Sequence, residues 1–184
     1  YFLENTPYKV RSFLADEKIG DKLVSYYIAK ITKNYGINPL LLLVRMQVEQ
    51  SLISKTKRPS QSKLDIALGC GCSDGSDCVE KYKGLLNQLE CSAYTLKRLY
   101  DESVDGTGYW KKGYTRKTLD GIYVKPSNNA TAALYGYTPW VLENTGGNWL
   151  VWNITKKFIK HLKNIDSWNF IEAGWVGTPC KEQD

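Results

Sequence analysis

At 184 residues with 42% apolar content, the chain is long enough for one well-buried domain and short for two. No run approaches the roughly twenty apolar residues of a membrane-crossing helix, because the longest, Leu40 to Val44, stops at Arg45. The formal charge of +6 favours an anionic partner, but the cations are scattered rather than gathered in one block, so nucleic acid is not indicated.

A single domain over 1–184 is expected, with its core between about 20 and 164 and an irregular, Trp-containing tail over 165–184. The start at Tyr1 rather than Met leads us to expect a removed leader or anchor, or an excised domain. From Asp21 to Tyr35, apolar residues at Leu23, Tyr26, Tyr27, Ile28 and Ile31 mark an amphipathic helix stopped by Gly36. Asn38 and Pro39 read as N-cap and first residue of a second helix that ends near Ser51. Loops are expected over 54–63 and 69–78. Leu85, Leu86, Leu89, Ala93, Leu96 and Leu99 then form the apolar stripe of a long helix between Tyr82 and Tyr100. The Asp120-Gly121 pair, set between short β-favouring runs in Lys117 to Val124, predicts a small hairpin. Ser127 caps a predicted helix through Thr131 to Tyr137, ended by Pro139, and Asn148 starts a last one carrying Leu150, Val151, Ile154, Phe158, Ile159 and Leu162. The pattern is mainly α with a minor β element.

Cys70, Cys72, Cys78 and Cys91 are clustered, with Cys180 near the end. Such clustering means a disulfide-stapled loop or a metal site. The paired C-x-x-C of structural zinc is missing and the one His, His161, is distant, so disulfides, no metal and an extracytoplasmic location are expected, with the pairing open. The sequons at Asn129 and Asn153 fall within predicted helices, which argues against their use.

Glu49 is the residue that bears on chemistry. Leu40 to Val44, Met46, Val48, Leu52 and Ile53 leave little of its helix for water, so its carboxyl is expected against hydrocarbon. Such a surround favours the protonated form that a general acid needs near neutral pH. The face below it, Met46, Arg45 and Leu42, is mixed rather than purely apolar. The bland alternative is a solvated helix residue. Six Trp and thirteen Tyr supply flat faces that suit sugar rings as well as cores.

Three segments in order, Gln47-Val-Glu-Gln-Ser51, Ala67-Leu-Gly-Cys-Gly-Cys72 and Ala132-Ala-Leu-Tyr-Gly-Tyr-Thr-Pro139, resemble the Glu-Ser, Gly-Leu-Met-Gln and Ala-Tyr-Asn motifs of the lysozyme-like lytic transglycosylases, the goose-type lysozyme superfamily. The resemblance spans about 37–139 and implies a lysozyme-like α+β domain. On it Glu49 falls on the catalytic acid, Tyr135 on the tyrosine that steadies the acid, and Gly69 on the turn glycine. Ser51, Tyr137, Thr138 and Trp140 fall where substrate is oriented. Three positions depart: Gln50 separates Glu49 from Ser51, Cys72 replaces the turn glutamine, and Gly136 replaces the asparagine.

The resemblance implies cleavage of peptidoglycan glycan strands between N-acetylmuramic acid and N-acetylglucosamine without a cofactor, by a chain expected to be monomeric. One carboxylate suffices where the substrate's acetamido oxygen acts as nucleophile. Attack by the sugar's C6 hydroxyl gives an anhydro end, as in lytic transglycosylases, and attack by water gives a lysozyme product. Asp65 and Asp74 are the available second carboxylates if water must be activated, against the plain reading of turn or capping residues. The alternatives are an endo-β-N-acetylglucosaminidase and a wall-binding module without catalysis. A bacterial wall, with acidic peptides and phosphate polymers, would also attract the positive charge.

Overall fold

The computed structural model describes residues 1–72 and 78–164, so Asp74, Cys180 and the expected irregular tail lie outside the described residues. The described chain is mainly helical, with two small antiparallel two-stranded sheets. Strands β1 (Lys18–Ile19) and β2 (Lys22–Leu23) pair around Gly20 and Asp21, a hairpin absent from the sequence reading. It delays the first helix, α1 (Val24–Tyr35), to three residues after its expected start. Gly36, left-handed at φ 63°, ends α1 as expected.

Helix α2 (Pro39–Gln50) begins where Asn38 and Pro39 place it, the Asn38 side chain accepting from the Leu40 amide. A 3-10 turn at Leu52–Ser54 leads into the expected 54–63 loop, within which a short helix, α3 (Gln61–Leu64), starts. The long helix α4 (Leu85–Asp105) outruns its expected end and stops at Gly106. The hairpin pairs β3 (Arg116–Lys117) with β4 (Tyr123–Val124), Lys117 opposite Tyr123, around the Asp-Gly turn. Helix α5 (Asn129–Tyr137) is capped by Asn128, which accepts from the Thr131 amide, and not by the expected Ser127. Helix α6 (Gly147–Lys163) completes the described chain and holds Asn153, while Asn129 opens α5.

Helices α2 and α6 pack together, as do α4 and α5, with α1 against α4. Their shared core joins Leu42 and Met46 of α2, Ile31 of α1, Leu89 and Leu96 of α4, and Val151 and Phe158 of α6. A fully buried Leu or Phe contributes about 1.5–3 kcal/mol, so this apolar set, rather than the two-residue strands, holds the fold. Cys70–Cys91 ties the turn after Leu68 to α4, and Cys72–Cys78 closes a small loop. The four clustered thiols are therefore paired with one another, which removes them as zinc ligands. No described helix is long and apolar enough to cross a membrane.

Candidate active site

Glu49 lies in the last turn of α2, half-buried with its side chain 27% exposed. Ser51 ends that helix in a left-handed conformation at φ 55°, its amide donating to the Gln47 and Met46 carbonyls while its side chain is exposed. Its evident part is to stop the helix, which aims the chain into the Leu52–Ser54 turn.

Against one carboxylate oxygen sits the turn Leu68-Gly69-Cys70. Gly69 is left-handed at φ 70°, and a Cβ there would lie 3.0 Å from Glu49 Oε2. A side chain here would strain the left-handed backbone and push the carboxylate away by a few tenths of an ångström. The turn is held by Gln88, fully buried in α4, whose Oε1 accepts from the Leu68 amide (3.0 Å) and the Cys70 amide (3.1 Å). Its Nε2 donates to the carbonyls of Cys70 (2.7 Å) and Tyr82 (2.8 Å).

The other oxygen, Oε1, is ion-paired with the Arg45 guanidinium. This corrects the expected hydrocarbon surround of Glu49. Arg45 stands four residues back, one turn below on the same face, where an acid and a base meet across a helix. Arg45 is itself buried at 3% exposure. Its Nη1 donates to Thr138 Oγ1 (3.0 Å), and the guanidinium lies 4.3 Å above the Tyr137 ring centroid, a stacking that suits a desolvated Arg.

Tyr137 closes the set. Its hydroxyl donates to the Leu68 carbonyl (3.0 Å) and meets Ser92 Oγ at 2.8 Å. Burial pushes the Tyr137 phenol up, opposed by the Arg45 charge and the Ser92 hydrogen bond. The phenol beside the Glu49–Arg45 pair is thus Tyr137, where the sequence resemblance pointed to Tyr135. Tyr135 instead stacks on Trp110, centroids 4.9 Å apart, and burial together with the Asp120 charge pushes its phenol up. The two residues are on one helix but 200° apart at 100° per residue, so one faces α2 and the other the hairpin.

Thr138 and Trp140 belong to the segment after α5, which is strapped at both ends. Asn148 Nδ2 donates to the Thr138 carbonyl (2.6 Å) and the Trp140 carbonyl (3.2 Å), and the first amides of α6 bond the carbonyls of Trp140 and Val141. On the other side Asp120 accepts from the amides of Val141 and Leu142. The Thr118 hydroxyl beside it and the Leu142 and Val141 amides hold the Asp120 carboxyl down to about 2. Gly136, one of the departures from the family motifs, is where α5 crosses α4: a Cβ there would meet Leu99 Cδ2 at 2.7 Å.

Family models, curated proteins and solved structures give no match to this chain.

The structure therefore brings Glu49, Gly69, Tyr137 and Thr138 together and adds four residues that were not singled out: Arg45 as a partner of Glu49, Gln88, Ser92 and Asn148. Gln88 had a visible signal, a polar side chain in the Leu85, Leu89, Ala93 and Leu96 stripe of α4. Asp65 follows α3 and accepts from Gln61 Nε2 (2.9 Å), the capping reading of that residue. His161 Nε2 lies 2.5 Å from the Asn5 carbonyl. Two surface cavities, of about 350 and 270 Å³, lie at the N-terminal segment and between Glu17 and Asn87, and neither is lined by Glu49.

Proposed function

We propose that the chain is a lysozyme-like domain that cleaves peptidoglycan glycan strands between N-acetylmuramic acid and N-acetylglucosamine, with Glu49 as the single general acid and base. The observation that carries this reading is the convergence of three separated segments on the Glu49–Arg45 pair: the end of α2 that bears it, the Gly69 turn against the carboxyl, and Tyr137–Thr138 at the end of α5 against the guanidinium. These are the three segments that carry the sequence resemblance. The disulfides support an extracytoplasmic location, where such a substrate lies.

In this reading Glu49 gives its proton to the glycosidic oxygen while the acetamido oxygen of the sugar bonds to the anomeric carbon, and the leaving sugar departs as an alcohol. The Glu49 carboxylate then takes a proton from the incoming hydroxyl, the sugar's own C6 group or water, as that oxygen replaces the acetamido oxygen. Thr138 Oγ1 and the Tyr137 ring hold the Arg45 guanidinium beside the Glu49 carboxyl. Tyr137 takes the positioning part assigned by resemblance to Tyr135.

The Glu49–Arg45 ion pair also favours a second reading, a wall-binding module in which the carboxylate stays paired. Incubating purified murein with the protein and weighing the released sugars decides. Muramic or anhydromuramic ends that vanish in Glu49→Gln support cleavage. Glucosamine ends would make the chain an endo-β-N-acetylglucosaminidase, and binding without any release would favour the module.

A further inference from the structure

The excess positive charge is concentrated more than the sequence pattern suggested. Between Gly106 and Leu142 there are five cations, Lys111, Lys112, Arg116, Lys117 and Lys125, and one acid, Asp120, with Asp105, which feels the Lys111 charge, and Glu143 flanking the stretch. Asp120 is engaged by the Val141 and Leu142 amides. Among the described residues none of these five cations is in a salt bridge, whereas on α4 Lys97 and Arg98 pair with Asp101 and Glu102. Exposed tyrosines are interleaved with them: Tyr109 at 63%, Tyr114 at 58% and Tyr123 at 71%. Each has a cation beside its ring, Arg116 at 5.1 Å from Tyr109, Lys111 at 5.7 Å from Tyr114 and Lys117 at 5.7 Å from Tyr123.

We propose that the β3–β4 hairpin and the 109–115 loop before it form an accessory face for an anionic wall glycopolymer, one that alternates phosphodiester groups with sugars or polyols. Unpaired cations on a surface attract a polyanion, and neighbouring phenol rings offer flat faces to sugar rings between its charges. A simple peptide carboxylate would leave most of the five cations unmatched. The hairpin is joined to the segment beside Glu49 through the Leu119 amide on the Pro139 carbonyl (2.8 Å) and through Asp120. A polymer held there would be attached to the strand presented to Glu49. The choice of a wall polymer over nucleic acid rests on the proposed cleavage of wall glycan.

The test is retention of the full chain on intact walls and on walls stripped of phosphate polymers by cold hydrofluoric acid, across a salt series. The triple variant Lys111→Ala, Lys117→Ala, Lys125→Ala alters two exposed side chains and the half-buried Lys111, and an unchanged melting curve confirms its fold. Expected is retention on intact walls about tenfold weaker for the variant, with the slope of log affinity against log salt lower by roughly three, and equal retention of both proteins on stripped walls. Tyr123→Ala is expected to weaken retention on intact walls while leaving binding of inorganic polyphosphate unchanged. Equal retention of wild type and triple variant on intact walls overturns the proposal. So does displacement by single-stranded DNA at a lower phosphate concentration than by the released wall polymer, which would assign the face to nucleic acid. Sugar release is scored on the same samples, so selective retention without release would defeat the cleavage reading and leave this face standing.

Discussion

Gly69 and Glu49 are in van der Waals contact so close that a methyl group on the first would stand 3.0 Å from a carboxylate oxygen of the second. At φ 70° the glycine is also in the left-handed region. Gly69→Ala therefore strains the turn and displaces the Glu49 carboxyl together. We expect a stability loss of about 1 kcal/mol and a fall in sugar release from murein of about a hundredfold. Denaturant unfolding and a turnover assay on the same preparation check both.

Gln88 satisfies four backbone groups in the turn region from inside α4. Gln88→Leu keeps the volume close but leaves those groups without partners. At about 1 kcal/mol per hydrogen bond, more where a buried group is left unmatched, the variant should lose about 4 kcal/mol. A shift of the urea midpoint measures this, and a change below 1 kcal/mol would show that the amide is not the brace described.

The Cys70–Cys91 bond spans 21 residues. A loop of that length stabilises by about 3 kcal/mol in the chain-entropy account. Cys70→Ser with Cys91→Ser should lower the melting temperature of the purified protein, whereas adding reductant to that variant should cause only the smaller further loss due to Cys72–Cys78. An equal melting point for the double variant and wild type would refute the tie between turn and helix.

Asp120 supplies a pH dependence whose sign follows from its lowered carboxyl. Its contribution is fully present above about 4, its ordinary unfolded range, and is lost as pH falls through about 2, its folded value. The difference in melting temperature between wild type and Asp120→Asn should be constant from pH 7 to 5 and shrink between pH 4 and 2. A difference that grows on acidification would reverse the assignment.

The sequence made elements legible where end signals and periodicity agreed: Asn38-Pro39 for helix α2, Gly36 for helix α1, and Asp120-Gly121 for the β3–β4 hairpin. The N-terminal hairpin escaped because a two-residue strand leaves no alternation to read. At the site, Glu49, Gly69 and Tyr137 were visible as residues, but the ion pair was not read from the helical spacing. The choice between Tyr135 and Tyr137 depends on how α5 is rotated about its axis, which is fixed by contacts such as Leu99 against Gly136. Apolar residues on nearly all sides of α5 leave that rotation unspecified by pattern alone.

Helix α6 supports α2 along its length, while its first turn grips the carbonyls of Trp140 and Val141. Gly147 permits that grip, since a Cβ there would collide with both carbonyl oxygens at 2.7 Å. One rod therefore sets the gauge between the carboxyl-bearing side and the Thr138–Trp140 side, and a tilt of that rod would move both together.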